Sequence, residues 1–308
     1  MAKKTIRIGT RQSPLALWQA QKVQKNLIEQ GFETEIVGIK SLGDVDLKTP
    51  IYEMGVQGVF TKAADTALLN HKIDIAVHSL KDVPTAIPRG LTQAAVLPRD
   101  SPADILVFKE NTDFLDTPLQ EAFVEQYVAT IATGSIRRKA QWLNRYPHHR
   151  IENLRGNMQT RLETLQNNAW DGAIFAAAGL ERIGLRPSNS IELDWMLPAP
   201  AQGAIVVLCR QEDEELLEAC AVFNHSSTAL CTAIERDFLR YLQGGCSLPI
   251  AALAFTEGYD IVLKGSVYSP NGAEKMDIEL SAPILESLPL GQKAAQKLLE
   301  RGATKLMR

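Results

Sequence analysis

The chain has 308 residues, of which 45% are apolar and 22% charged, with a formal net charge of −3. This length predicts two or three domains, and the composition is that of a globular protein. The balanced charge excludes a general polyanion-binding surface, so nucleic acid is not an expected partner and an anionic ligand would need a local basic patch. No apolar run approaches the ~20 residues of a membrane helix, and Met1-Ala2-Lys3-Lys4-Thr5 lacks the apolar core of a secretory signal. The four cysteines, Cys209, Cys220, Cys231 and Cys246, have neither zinc-site nor disulfide-framework spacing. A metal-free protein of the cytoplasm, without a membrane partner, is the expectation.

The first stretch alternates strands and helices. Ile6 and Ile8 alternate with polar neighbours as in a strand. Ser13-Pro14 caps and opens a helix carried by Leu15, Trp18, Val23 and Leu27 and stopped at Gly31. A strand at 34–39, a helix at 60–69 and a strand at 74–78 follow, the pattern of a mainly parallel sheet. Between Ser41 and Gly58 there is little periodicity. That length reads as a mobile loop, expected to close over a site as a lid.

After Arg99-Asp100-Ser101-Pro102 the alternation begins again, with strands at 127–132, 150–154 and 172–176 and helices at 135–145 and 158–165. This reads as a second domain of the same type. A strand at 204–209 is a candidate to return to the first sheet. The tail differs: helices at 214–223 and 227–242, strands at 250–255, 261–268 and 275–281, and a closing helix at 290–301. Asn271-Gly272 predicts a hairpin between the last two strands.

Four segments carry candidate chemistry. Thr133-Gly134-Ser135-Ile136-Arg137-Arg138 ends a strand in a turn that opens a helix, where unpaired amides and two arginines suit an anion. The same pattern fits a capped surface helix with solvated arginines. Asn153-Leu154-Arg155-Gly156-Asn157 repeats the layout, with Arg161 one turn on, and Arg11 and Lys81 follow strands of the first domain. Asp82, in His78-Ser79-Leu80-Lys81-Asp82-Val83-Pro84, is a carboxylate placed to face a cleft, or alone an ordinary turn residue, and His78 reads as a strand-end packing residue. Gly244-Gly245-Cys246 puts one cysteine on a loop, whereas the other three lie in apolar patterns.

These stretches, with Ile8-Gly9-Thr10-Arg11-Gln12-Ser13-Pro14, Ala178-Gly179-Leu180-Glu181-Arg182 and Gln202-Gly203-Ala204, resemble in order and over nearly the whole chain the porphobilinogen deaminase family, the hydroxymethylbilane synthases. The resemblance implies an α/β fold of two lobes like those of type II periplasmic-binding proteins, residues 1–100 with 202–218 and residues 103–198. It also implies a small C-terminal α+β domain, residues 222–308, with a three-stranded antiparallel sheet. The implied enzyme is a transferase of tetrapyrrole and heme biosynthesis. It condenses four porphobilinogen molecules head to tail, each losing ammonia, and releases hydroxymethylbilane.

The resemblance further implies a dipyrromethane cofactor attached through Cys246, and Asp82 as the catalytic carboxylate. The groups implied for binding cofactor and substrate carboxylates are Arg11, Ser13, Lys62, Ser79, Lys81, Thr133, Ser135, Arg137, Arg138, Arg155, Gly156, Arg161, Arg182 and Gln202. The product is expected to pass to a downstream tetrapyrrole-processing enzyme, and the chain to act as a monomer. The chain departs from the family pattern in three places: Gln57 where lysine is common, Gly134 in the usual Thr-Ser-Ser turn, and Pro200-Ala201 for Val-Gly. Two rival readings are a non-catalytic anion-binding protein of the same two-lobed shape and a degenerate tetrapyrrole-binding homologue. The third domain and Cys246 speak against the first, Asp82 and Cys246 against the second.

Overall fold

The computed structural model describes residues 5–41, 58–115, 127–243 and 248–307. The interior of the expected lid, with Gln57, and the segment carrying Cys246 lie outside the described residues.

In chain order the strands are β1 (Ile6–Arg11), β2 (Thr34–Ile39), β3 (Ile75–Ser79) and β4 (Leu91–Val96), then β5 (Asp104–Phe108), β6 (Thr130–Ala132), β7 (Arg150–Glu152), β8 (Gly172–Ala176) and β9 (Ser190–Glu192), then β10 (Ile205–Arg210), and finally β11 (Ile250–Glu257), β12 (Asp260–Tyr268) and β13 (Lys275–Pro283). They form two five-stranded sheets and one of three strands. The first sheet runs β2-β1-β3-β10-β4 and the second β7-β6-β8-β5-β9. In each, three strands are parallel and the fourth in order is antiparallel to its neighbours.

The antiparallel strand of each lobe is the first one after a crossing between lobes. β5 enters the second sheet directly from the first lobe, and β10 returns to the first sheet from the second. This is the two-lobed α/β arrangement expected of type II periplasmic-binding lobes, and the antiparallel β11-β12-β13 sheet gives the expected third unit. Among the described residues no helix is long and apolar enough to cross a membrane.

β10 shows why these strands form. Its six residues, Ile-Val-Val-Leu-Cys-Arg, are all buried. Successive side chains point to opposite faces. Ile205, Val207 and Cys209 therefore join one core, with Ile8, Val23 and Leu27, while Val206 and Leu208 join the core on the other face, with Leu68 and Leu80. A central strand covered on both faces reads as a continuous apolar run. The first helix, Pro14–Glu29, opens as expected, with Pro14 in its first turn and Ser13 accepting from the Ala16 amide. The third unit packs the helices Ser226–Tyr241 and Leu290–Glu300 on its sheet around Phe238, Leu263 and Leu298.

Three strands escape the sequence reading. Leu91–Val96 (Leu-Thr-Gln-Ala-Ala-Val) and Ser190–Glu192 have weak periodicity, and Asp104–Phe108 is an uninterrupted apolar run with an acid at its head. Asn271-Gly272 lies in the expected hairpin between β12 and β13, in a six-residue connection whose Gly272 carbonyl accepts from Asn144 of the second lobe at 2.8 Å. The loop is closed by its own hydrogen bonds, Ser269 N to Glu274 O and Gly272 N to Ser269 O, each at 2.9 Å.

Candidate active-site cleft

The ends of the parallel strands of both lobes face a common cleft of about 1110 Å³. Ligands in open α/β sheets bind at such carboxyl ends. Arg11 and Ser79 are the last residues of β1 and β3, and Gly134, Ser135 and Arg155 follow β6 and β7. Seven arginines and two lysines line the cleft, and Asp82 is the one carboxylate among its described lining. Of the expected residues, Arg11, Ser13, Ser79, Lys81, Asp82, Ser135, Arg137, Arg138, Arg155, Gly156, Arg161, Arg182 and Gln202 come together here. Lys62 and Thr133 do not line it. Lys62 is exposed at the start of the Lys62–Leu69 helix, and Thr133 is buried beneath its turn, where its hydroxyl accepts from the Ser135 amide.

The basic residues are not all directed at a ligand. Asp104, wholly buried at the start of β5, ties together the deepest of them. Arg138 donates to Asp104 Oδ1 from Nε at 3.1 Å and from Nη2 at 2.7 Å, and Arg137 Nη1 lies 2.7 Å from Oδ2. Gln202 Nε2 adds a hydrogen bond to Oδ1 at 2.8 Å, while its Oε1 accepts from Lys81 Nζ at 3.1 Å. One carboxylate thus anchors two arginines of the second lobe and, through Gln202, a lysine of the first. Burial alone would raise the Asp104 carboxyl. The two guanidinium charges and their hydrogen bonds reverse this and hold it well below its ordinary value.

Positive charge remains in excess. Burial first, then Arg138 and Arg137, push the Lys81 ammonium down to about 8. Arg161, whose Nε donates to Gly156 O at 2.8 Å, is pushed down to about 10 by burial and by Arg138, Arg155 and Arg11, with Asp82 opposing. Arg137 Nε is buried without a hydrogen-bond partner among the described residues. Desolvated cations that lower one another are a site made for anions.

Gly134 has a physical reason here. A Cβ on it would lie 2.5 Å from Leu154 O, so the turns after β6 and β7 approach at a distance that a residue with a side chain would not permit without a shift. Ala201 takes φ 62, a left-handed conformation rare for a residue with a Cβ, and its amide is held by the Glu235 carboxylate at 2.6 Å. Arg182 crosses the hinge, donating to Asp100 at 2.7 Å and to Gly203 O at 2.6 Å. Arg99 and Glu235, paired at 2.6 and 3.1 Å, fasten the first crossing to the third domain.

Lining residues missed by the sequence reading include Lys40, Gln19 and Arg236. Gln19, buried on the first helix, donates to Ser79 Oγ at 2.9 Å. Arg236 reaches in from the third domain. His78, read as packing, is buried in the cleft wall with Nε2 unpartnered among the described residues and is pushed down to about 4 by burial and by Arg11. Gln19 lies at a buried helix position that gives no polar signal, and Arg236 is one charge in an amphipathic helix.

Gln243 and Leu248, the described residues on either side of the Cys246 segment, both line the cleft. Cys209, Cys220 and Cys231 are buried elsewhere, and burial pushes the first two thiols up to about 11 and about 12.

A family model described as "Porphobilinogen deaminase, dipyromethane cofactor binding domain" matches residues 6–218, and "Porphobilinogen deaminase, C-terminal domain" matches residues 229–300. The chain belongs to the porphobilinogen deaminase family. Similar members include the porphobilinogen deaminase of Syntrophotalea carbinolica, 38% identical over 100% of this chain and 96% of that protein. That of Geobacter metallireducens is 39% identical over 100% and 95%. Among solved structures, an ancestral cationic amino acid solute binding protein is 16% identical with a TM-score of 0.45, over 71% of this chain and 87% of that one.

The family's cofactor, dipyrromethane, brings carboxylates on each ring. The cleft fits it on its own chemistry: an excess of buried cations, Arg137 Nε without a partner among the described residues, and Gln243 and Leu248, which flank the cysteine segment, in the lining.

Proposed function

We propose that this chain is a porphobilinogen deaminase. It joins four porphobilinogen molecules head to tail and releases hydroxymethylbilane. The observation that carries the reading is the cleft itself, with nine cationic side chains around a single described carboxylate, Asp82. A binding protein for an anion needs the cations but has no use for a lone acid among them.

Each condensation breaks the aminomethyl C–N bond of one porphobilinogen, and the amine leaves as ammonia. A C–C bond then forms from that methylene to the free α-carbon of the terminal ring, which gives up its proton. Bound dipyrromethane supplies the first such α-carbon and stays on the protein. Arg11, Arg155 and Arg161 bind ring acetates and propionates, and Lys81 completes the set from the first lobe. Arg137 and Arg138 share their charge between Asp104 and the ligand. Asp82 accepts the pyrrole N–H of the substrate and stabilises the positive charge that develops as ammonia leaves, then takes the proton lost at the new ring junction. Arginines do not exchange protons at neutral pH.

Cys246 is the attachment point. The three described cysteines are buried away from the cleft, and a protonated thiol is a poor nucleophile. The chain works as a monomer in the cytoplasm and hands its product to a tetrapyrrole-processing enzyme. Residues 1–100 with 202–218, residues 103–198 and residues 222–308 are its folding units.

The test is Ehrlich's reagent and mass spectrometry on purified protein. A coloured adduct and a chain heavier than its sequence mass, both lost in Cys246→Ser, are expected. An unmodified wild-type chain with full activity would overturn the attachment. An unmodified chain without activity would favour a binding protein.

A further inference from the structure

Asp82 sits at the end of a short 3-10 turn, Leu80–Asp82, that follows β3. Such a turn has little structure of its own to fix a side chain. Its own backbone supplies one hydrogen bond, from the Val83 amide to Leu80 O at 3.2 Å, and the residue just before β10 supplies another, from the Leu80 amide to Ala204 O at 3.0 Å. Lys81 is tied to Gln202 Oε1 at 3.1 Å, Leu80 and Val83 are buried in the first-lobe core, and a further restraint comes from another domain. Arg236, on the Ser226–Tyr241 helix, donates from Nη1 to Val83 O at 2.8 Å and to Leu80 O at 3.3 Å, and from Nη2 to Pro84 O at 2.6 Å. The accepting carbonyls bracket Asp82 on both sides.

We infer that Arg236 is a positioning residue that sets the Asp82 carboxylate in the cleft by holding the turn that carries it. This rests on the functional reading above. Arg236 itself lines the cleft, on a helix that ends at Tyr241. Its neighbour Glu235 faces the other way. It binds Arg99 and the amides of Ala201 and Ala254 at 2.6 to 3.1 Å, which locks the helix to the hinge. Arginine suits the task because its planar fork offers several donors at fixed angles, whereas a lysine offers one compact head. The clamp acts on backbone carbonyls, through the turn that carries the acid.

The variants are Arg236→Met and Arg236→Lys in the full chain, as purified with its cofactor. The first readout is amide hydrogen exchange, which needs no catalysis. Exchange over residues 79–86 is expected to rise at least about tenfold in Arg236→Met, with β10 unchanged. Single-turnover ammonia release per cofactor-loaded chain is expected to fall at least about tenfold, with KM moving less than about threefold and Arg236→Lys intermediate. In an Asp82→Asn background, Arg236→Met is expected to add no further loss, because the residue acts through that acid.

Unchanged exchange over residues 79–86 overturns the proposal. So does a full additional loss of rate in the Asp82→Asn background. A wild-type chain with no dipyrromethane and no ammonia release would instead overturn the functional reading, and the exchange result would still decide whether Arg236 holds the turn. Should Arg236→Met fail to fold, Arg236→Lys carries the same exchange and double-variant comparisons.

Discussion

Arg138 donates from two of its nitrogens to one oxygen of Asp104, and the acid is wholly buried. With Arg137 on the other oxygen, the carboxylate compensates two guanidinium groups that would otherwise be stranded in the protein interior. Removing one partner of a buried ion pair costs about 3–5 kcal/mol. Asp104→Asn is expected to lose stability on that scale in urea unfolding, and Arg138→Leu to lose fold stability as well as cofactor. Equal urea midpoints for wild type and Asp104→Asn would show that the cluster contributes nothing to the fold.

The same pair predicts an acid limb. The Asp104 carboxyl titrates lower in the folded chain than in the unfolded one. Its contribution is therefore full above the ordinary carboxylate value of about 4 and disappears as pH falls through the depressed folded value. Unfolding free energy measured downward from pH ~5 should fall less steeply in Asp104→Asn than in wild type. Parallel acid limbs would assign the titration to other groups.

Lys81 predicts an alkaline limb. Pushed down to about 8, its ammonium is lost as pH rises past that value, and with it a cation for the substrate carboxylate. The profile of kcat/KM is expected to decline above about pH 8 and to lose that limb in Lys81→Arg, whose charge persists. The stability effect has the opposite sign. Between about 8 and the ordinary lysine value near 10.4 the unfolded chain holds more protons, so this group makes the fold more stable as pH rises. An identical alkaline limb in Lys81→Arg would remove Lys81 from substrate binding.

Asp82→Asn keeps shape and removes charge. Turnover is expected to fall at least about 100-fold, and Asp82→Glu to keep part of it. Ammonia release in a single turnover, with dipyrromethane content measured separately, checks this. Near-wild-type release by a cofactor-loaded Asp82→Asn chain would exclude the acid from the reaction.

Gly203→Ala tests the second crossing. Gly203 has φ 88, and a Cβ there would meet Asp100 O at 2.6 Å and Ser101 O at 2.9 Å, while its own carbonyl accepts from Arg182. Left-handed backbone costs a residue with Cβ about 1–2 kcal/mol, and crowding adds about 1–3 more. A drop of about 2–5 kcal/mol in urea unfolding is expected on those two grounds together. A neutral result would mean that the hinge relaxes around the added methyl.

Much of this protein was legible in local pattern. Ser13-Pro14 announced the first helix, β10 its burial, and Ser135 and Asn157 cap the helices at the two anion-facing turns as their residue types require. Motif order alone placed the chain in its family. Local pattern reports what a residue does to its own backbone and which face it hides, and those depend on neighbours a few positions away. It does not report which distant charges meet. Asp104 is an acid at the head of an apolar run, and only the crossing of β5 into the second sheet puts it against Arg137 and Arg138. Arg236 is one charge on an amphipathic helix, and only the docking of the third domain brings it to the carbonyls around Asp82, more than 150 positions away in sequence. Charge and hydrogen-bond partnerships across that separation are set by how sheets and domains pack, so the tertiary structure alone decided which cations face the ligand and which are held by the protein's own acids.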